Sequence, residues 1–206
     1  MTAALIHVVD DDQSVRTALT RLLRARGYQT RTYASAWDFL TAEPAPGPGC
    51  VVLDVSMPGP SGLELHDKLN RSERPLPVIF LTGRGDIPMT VRAMRNGAVD
   101  FLTKPVQRDL LFAAVERALS RGEEQRAARE QHQLLRERYE TLTARERAVF
   151  ARVTEGRLNK QIAAELGTSE RTVKAHRAQV MEKMHTRSVA ELVRAADQLG
   201  IAAPAA

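Results

Sequence analysis

The sequence predicts an α/β fold, a doubly wound five-stranded parallel sheet, followed by a helical linker and a small all-α unit. Over the first 120 residues, short apolar runs rich in valine alternate with stretches of helical periodicity. This alternation is typical of strands buried on both faces and of the helices that cover them. Residues 121–140 are mostly Glu, Gln, Arg and Ala, and helix start and stop signals recur from residue 141 onward, which predicts helices for the remainder.

The elements of the first 120 residues follow from periodicity and turn residues. Short apolar or β-branched runs predict five strands, at residues 5–9, 29–33, 51–53, 78–81 and 100–102. Helical spacing predicts helices at residues 14–26, 62–69 and 87–96 and from residue 108. Ser35 is expected to cap a further short helix, in which Trp37 and Phe39 should pack against the core. The strand at 29–33 is the most polar, so we place it near a sheet edge.

Four of these strands end in polar groups of different kinds. An acidic cluster at residues 10–12 follows the first strand, Asp54 ends the third, and Thr82 and Lys104 lie at the ends of the last two. Because the carboxyl ends of parallel strands meet at one rim of an open sheet, where ligands bind, we expect these groups to converge.

This set of side chains suits the transfer of a phosphoryl group to Asp54. Aspartate is one of the few side chains that accept a phosphoryl group covalently, but a carboxylate and a phosphate repel each other. Mg²⁺ is held in proteins by one or two carboxylates together with phosphate oxygens. We therefore predict a magnesium site made by Asp10, Asp11, Asp54 and the backbone carbonyl of Ser56.

Thr82 and Lys104 complete the predicted catalytic group with Asp54. Lys104 adds a point charge that pairs with one phosphate oxygen, and the Thr82 hydroxyl hydrogen-bonds another. A phosphate on Asp54 would draw the Thr82 hydroxyl inward and open space for the ring of Phe101, which makes Thr82 and Phe101 a candidate switch. Simpler roles stay open: residues 10–12 as a helix cap, Thr82 as a turn residue, Lys104 as a solvated charge and Phe101 as core.

The first 120 or so residues resemble the receiver domain of two-component response regulators. The matching features are Asp10-Asp11, the run 54–62, Thr82-Gly83 and the run 101–105. The resemblance implies a flavodoxin-like sheet of order 2-1-3-4-5 and phosphoryl transfer to Asp54 from a sensor histidine kinase, with Mg²⁺ bound nearby. It also supports a cis peptide bond before Pro105 and places Ser56 and Arg84 beside the site, where they would control water access.

Composition and charge restrict the function classes that remain. The 206 residues contain no apolar run near the length of a membrane helix and no leader-like N-terminus, so we expect a cytoplasmic protein. The single cysteine, Cys50, is expected to be a small core residue. Residues 141–206 carry 11 Lys and Arg against 7 Asp and Glu within a total net charge of +5, which suggests a polyanionic partner.

The C-terminal unit, residues 141–206, has the signals of a helix-turn-helix. Thr143 and Glu146 form a predicted capping box, and Ser188 and Glu191 form another. Between them, a helix at residues 160–166 stops at Gly167, and a longer helix capped by Ser169 runs to about residue 184. Residues 121–140 are interpreted as a solvated helical spacer, with weak pairing to a partner helix as the alternative.

This unit resembles the DNA-binding domain of LuxR-type regulators, through residues 142–147, 159–163, 172–176 and 181–184. The whole chain is thereby similar to a FixJ/NarL-type response regulator, with the helix from residue 169 to 184 in the major groove of promoter DNA. Expected at base edges or on the exposed face of that helix are Lys174, Arg177, Ala178 and Gln179. Expected at phosphates are Asn159, Lys160, Ser169, Arg171, Thr172 and His176. For each of these, a solvated surface residue is the alternative.

On this interpretation the protein catalyses only its own phosphoryl transfer and dephosphorylation and dimerises when phosphorylated, with RNA polymerase as a further candidate partner. Two other function classes fit part of the pattern. A Mg²⁺-dependent phosphotransferase acting on a small molecule would lack a substrate domain and leave the helix-turn-helix unexplained. A DNA-binding regulator with a degenerate, ligand-sensing receiver is disfavoured by the intact set Asp11, Asp54, Thr82 and Lys104.

Overall fold

The computed structural model describes residues 4–43, 47–72, 75–83 and 87–201, with residues 87–89 described by their backbone alone. The chain divides into two compact units, residues 1–126 and 127–206. The first unit is an α/β sandwich and the described part of the second is helical.

In the part of the first unit that the structure describes, the sheet has five parallel strands in the order β2-β1-β3-β4-β5. The strands are β1 (Leu5–Val9), β2 (Gln29–Tyr33), β3 (Gly49–Asp54), β4 (Val78–Thr82) and β5 (Asp100–Thr103). This confirms the predicted fold class and the edge position of β2. All six residues of β3 are buried, because it lies in the middle of the sheet with helices on both faces.

Among the described residues, five helices cover the sheet: α1 (Gln13–Ala25), α2 (Ala36–Thr41), α3 (Gly62–Asn70), α4 (Ile87–Arg95) and the start of α5 (Arg108–Glu140). Helices α1 and the start of α5 supply apolar residues to one core layer, and α2, α3 and α4 supply them to the other. Asp12, Ser35 and Ser61 cap the first three helices through side-chain oxygens that accept backbone N–H groups. The sheet is therefore doubly wound, as predicted.

Trp37 on α2 was predicted to pack against the core, and this prediction is wrong. Its side chain is 56% exposed, and the Lys68 ammonium lies 5.2 Å from the ring centroid. Phe39, by contrast, packs on the core layer with Tyr33. Helix α2 is only six residues long, so its buried face has room for few large side chains.

His7 is a buried titratable group on the inner strand β1. Its Nδ1 lies 3.0 Å from the Tyr33 hydroxyl, and the ring of Phe39 meets it edge-on at 5.4 Å. Burial, and to a smaller extent the nearby charge of Arg31, together lower the pKa of His7 to about 4. The imidazole is thus held neutral near pH 7.

The described part of the second unit consists of the end of α5 followed by α6 (Ala144–Thr154), α7 (Asn159–Leu166), α8 (Glu170–Lys183) and α9 (Val189–Gln198). Leu135 on α5 and Leu142 after it are buried in this core, with Tyr139 packed against it. The interpretation of residues 121–140 as a solvated spacer is therefore wrong at its C-terminal end.

One of the two predicted capping boxes forms. Glu146 accepts from the Thr143 backbone N–H at 2.8 Å while Thr143 accepts from the Glu146 N–H. At α9, Ser188 accepts from Glu191 N–H, but the Glu191 carboxylate accepts from Arg187 N–H instead of from Ser188. The second box is thus only half formed. Glu146 also accepts from Lys183 at 2.7 Å, and that contact holds the pKa of Glu146 below its usual range.

We predict that His7→Leu removes part of the acid sensitivity of the first unit. The His7 pKa is lower in the folded chain, so the unfolded chain binds more protons between pH 6.5 and about 4 and stability falls as pH falls through that window. At pH 5 this term amounts to about 2 kcal/mol. Urea unfolding followed by fluorescence of Trp37, the single tryptophan, at pH 7 and pH 5 measures it. An equal loss of stability in both proteins would contradict the prediction.

Candidate functional site

Four strand ends meet at one rim of the sheet and carry the predicted catalytic side chains. Asp54 ends β3 opposite Leu81 in the neighbouring strand, and Thr82 ends β4 opposite Thr103. The Lys104 backbone N–H donates to the Thr82 carbonyl at 2.7 Å, which carries Lys104 past the end of β5. Its peptide bond to Pro105 is cis, as predicted.

Three carboxylates converge at this rim. Asp10, Asp11 and Asp54 each offer an oxygen that lies within 4.8 Å of the other two. Asp10 is completely buried and Asp54 is 4% exposed, while Asp11 faces solvent. Hard divalent cations prefer oxygen ligands in such sets, so the residues present fit Mg²⁺. Asp12 has another role, because its carboxylate accepts from the Ser14 backbone N–H at 2.7 Å and caps α1.

Lys104 lies between the two buried carboxylates. Its Nζ is 2.6 Å from Asp10 Oδ2 and 2.9 Å from Asp54 Oδ2. Burial alone would lower the pKa of Lys104, but the hydrogen bonds to Asp10 and Asp54 outweigh it and the pKa is raised. Burial raises the pKa of Asp10, and the lysine partly opposes that rise. The ammonium therefore offsets the repulsion between two carboxylates that share one pocket.

The loop after β3 is fitted tightly against Asp54. The Ser56 backbone N–H donates to Asp54 Oδ1 at 3.2 Å, which places Ser56 at the rim; its carbonyl as a magnesium ligand stays a prediction. A Cβ atom on Gly62 would lie 2.2 Å from the Asp54 carbonyl oxygen, so only glycine fits where α3 begins. This glycine was predicted to start a helix, but not to be required by the site.

Arg16 on α1 is a site residue that the sequence pattern did not reveal. Its Nη1 donates to the Asp10 backbone carbonyl at 2.6 Å, and the Asp12 backbone N–H donates to Asp10 Oδ1 at 3.0 Å. These bonds hold the acidic loop in one conformation. An arginine in an amphipathic helix looks like a solvated charge, and no local signal distinguishes this one.

The two candidate switch residues lie close to the same rim. Thr82 is 3% exposed. Phe101 on β5 is half-buried, and its ring centroid is 6.2 Å from that of Phe80. Phe101 therefore packs on the core and retains an exposed edge, which agrees with either role considered for it. Arg84 lies outside the described residues.

The predicted DNA-contacting residues all lie on α7, on α8 or on the turn between them. Gly167 ends α7 in the left-handed conformation and Ser169 caps α8 by accepting from the Thr172 N–H. The exposed members of the set are Lys160, Ser169, Arg171, Thr172, Lys174, Ala178 and Gln179. The half-buried members are Asn159, His176 and Arg177.

The outward face of α8 differs from the predicted one at Arg177 and Ala175, whereas Lys174, Ala178 and Gln179 are exposed as predicted. Arg171, Lys174, Ala175 and Ala178 are exposed and share one side of the helix. Ala175 was not predicted, although its spacing from Arg171 and Ala178 is the signal that could have found it. Arg177 is half-buried and its guanidinium donates to Asn159 Oδ1, so it does not belong to the open face on which it was expected.

Comparison with known proteins identifies the family. Residues 6–116 match a family model described as the response regulator receiver domain, and residues 140–196 match one described as bacterial regulatory proteins of the luxR family. The chain belongs to the FixJ/NarL-type response regulators. Its relatives include Nodulation protein W of Bradyrhizobium diazoefficiens, 46% identical over 98% of this chain and 89% of that protein.

Solved structures agree with this assignment. The response regulator StyR is 44% identical, covers 96% of this chain and 100% of its own, and superposes with a TM-score of 0.80. Full-length FixJ from B. japonicum is 40% identical over 98% of this chain and 99% of its own, with a TM-score of 0.58. This response regulator therefore has a receiver that implies a kinase partner and a LuxR-type domain that implies DNA binding.

Within the described part of the chain, none of the helices combines the length and the apolar character required to cross a lipid bilayer.

We predict that Lys104→Met destabilises the metal-free receiver by about 3 kcal/mol, because two carboxylates then share a pocket without a cation. Mg²⁺ should restore more stability to this variant than to the parent protein, since the ion replaces the lost charge. Urea unfolding followed by Trp37 fluorescence, with Mg²⁺ or with a chelator, measures both effects. Arg108→Met, which removes an exposed ion pair, is the control. Equal Mg²⁺ effects in Lys104→Met and the parent would refute the prediction.

Proposed function

We propose that this response regulator accepts a phosphoryl group on Asp54 from a sensor histidine kinase, and that the phosphoryl group controls dimerisation and sequence-specific binding to promoter DNA. The observation that carries the proposal is the position of Asp54. Its carboxylate lies at a strand end beside Asp10 and Asp11 and in contact with the Lys104 ammonium. Three acids and one lysine at a single rim are the groups that metal-assisted phosphoryl transfer to a carboxylate requires.

Asp10, Asp11 and Asp54, with the Ser56 carbonyl, would hold Mg²⁺. When bound, Mg²⁺ would offset the negative charge of the carboxylates and of the incoming phosphoryl oxygens. The ionised carboxylate of the buried Asp10 needs a positive partner, and Lys104 supplies one here. The observation in support is the set of oxygen ligands within 4.8 Å.

The transfer replaces a phosphorus–nitrogen bond to the kinase histidine with a phosphorus–oxygen bond to Asp54. An Asp54 carboxylate oxygen forms a bond to phosphorus while the bond from phosphorus to the kinase histidine breaks, and the electron pair of that bond stays on the imidazole nitrogen. Lys104, already 2.9 Å from Asp54, would then pair with a phosphoryl oxygen, and the Thr82 hydroxyl would hydrogen-bond another. We propose that the protein catalyses only its own phosphorylation and dephosphorylation.

Movements of Thr82 and Phe101 would couple phosphorylation to the conformation of the receiver. Movement of the Thr82 hydroxyl toward the phosphate would let the half-buried Phe101 ring turn inward and shift β5 and α4. Val91 and Met94 on α4 are 43% and 44% exposed, which supports this face as the dimer surface. Dimerisation would place two α8 helices on half-sites about one helical turn apart or on a direct repeat, with RNA polymerase as a further partner.

The phosphorylation step is tested by mass. Incubation of the full chain with acetyl phosphate and Mg²⁺ should give a single phosphoryl adduct by intact-mass spectrometry, and Asp54→Ala should give none because the accepting oxygen is gone. Asp12→Ser, which keeps the cap of α1, should still be labelled. An adduct on Asp54→Ala would show that another residue is the acceptor.

The dimerisation step is tested by sedimentation. The 22.8 kDa chain should sediment as a monomer, become a dimer after phosphorylation, and bind promoter fragments at least tenfold more tightly as a dimer. Met94→Glu should block dimerisation, because two added carboxylates would face each other across the interface. Trp37→Gln, which removes an exposed apolar side chain elsewhere on the receiver, should not. A phosphorylated monomer with unchanged DNA affinity would rule out this route.

A further inference from the structure

Arg177 on α8 and Asn159 on α7 form a hydrogen bond that joins the two helices of the helix-turn-helix. Arg177 Nη1 donates to Asn159 Oδ1 at 2.6 Å, although the two residues are 18 positions apart. The distance is at the short end for an N–H···O bond, as expected when the donor is charged. The hydrogen bond thereby connects the first residue of α7 to the middle of α8.

The helical position of Arg177 separates it from the residues that face outward. Arg177 follows Val173 by four positions and precedes Val180 by three, so it lies on the same side of α8 as these two buried valines. The exposed side carries Arg171, Lys174, Ala175 and Ala178. An arginine at the edge of the buried stripe can reach along the side of the helix, but it does not point where base edges would lie.

The hydrogen bond also decides which groups the pair offers to a ligand. Asn159 has one acceptor oxygen and two N–H donors, and the oxygen is committed to Arg177. Its outward group is then the NH₂. A guanidinium has five N–H donors, of which the contact with Asn159 uses one. Together the two side chains present donors to the DNA side, which suits a backbone phosphate because its oxygens only accept. Acceptors on base edges, such as guanine O6 and N7, are disfavoured because Arg177 lies on the side of α8 that carries the buried valines.

We propose that Arg177 is a positioning residue that holds Asn159 so that the pair clamps one DNA phosphate, and that it does not read a base. The inference rests on DNA binding by the C-terminal unit, the activity proposed above. The clamp fixes the start of α7 on the DNA backbone and so sets how α8 enters the groove. Sequence preference then comes from the outward residues of α8, with Lys174 as the charged one best placed to meet a guanine.

The test uses the full chain, phosphorylated with acetyl phosphate, and a duplex that the parent protein selects from random sequences. A panel of duplexes with each base pair substituted in turn measures preference, and fluorescence anisotropy at several salt concentrations measures phosphate contacts. Arg177→Ala should weaken binding about tenfold on every duplex of the panel. It should also lower the slope of log affinity against log salt by about one.

Asn159→Asp separates the clamp from a purely structural bond. The aspartate still accepts from Arg177, so thermal unfolding should be unchanged or shifted upward, but it loses the outward donors and adds a charge that repels phosphate. Binding should therefore fall at least tenfold across the whole panel. If the bond were only structural and the pair did not face a phosphate, Asn159→Asp would bind DNA as the parent does, and the proposal would be overturned.

Two controls complete the design. Lys174→Ala should relax preference at one base pair, which shows that the panel detects base contacts. Arg194→Ala removes an equal charge from the exposed side of α9 and should bind as the parent does. A change of preference at a single base pair in Arg177→Ala would assign base reading to Arg177 and overturn the proposal. Failure of the parent protein to select any duplex would instead count against DNA binding itself.

Discussion

The receiver of this response regulator is organised around two buried carboxylates that share one ammonium. Asp10 and Asp54 are almost without contact to water, and Lys104 lies within 2.9 Å of both. Two like charges in a pocket of low polarity repel strongly unless a cation lies between them. The three side chains therefore depend on one another, and the strand ends that carry them must keep their relative positions.

Contacts to the backbone and to the carboxylates keep these strand ends in their relative positions. Arg16 holds the carbonyl of Asp10, and the Ser56 N–H holds an oxygen of Asp54. Gly62 lets the start of α3 pass against the Asp54 carbonyl, where a side chain would collide with backbone. Because each contact fixes a different part of the rim, the two acids are held in one orientation by the chain itself.

The sequence predicted what depends on local pattern and missed what depends on packing between distant segments. The five strands and the caps at Ser35, Thr143 and Ser169 follow from period and side-chain chemistry, and the structure confirms them. Polar strand ends predicted the acidic rim for the same reason, since parallel strands gather their carboxyl ends. Trp37 was misplaced because a six-residue helix does not reveal which face is covered.

The remaining misses have the same origin. Leu135, Tyr139 and Leu142 look like a sparse stripe on a polar helix, and only the contact with Phe150 and its neighbours makes them core. Arg16 and Arg177 are arginines in amphipathic helices, which are solvated more often than not. Their partners are a backbone carbonyl and a side-chain amide contributed by other segments. The spacing of residues along the chain does not predict contacts of either type.

Helix α8 has one face packed in the core and one face exposed. Val173, Val180 and Met184 anchor one side of α8 in the core, and Arg177 lies at the edge of that side. Lys183 next to Met184 is held by the buried Glu146, so the C-terminal end of the helix is fixed to the start of α6. The outward side, with Arg171, Lys174, Ala175 and Ala178, has no such packing role. Under the DNA-binding function proposed above, changes there would alter which base pairs are preferred without disturbing the contacts that place the helix, whereas changes on the inner side would alter affinity for every sequence alike.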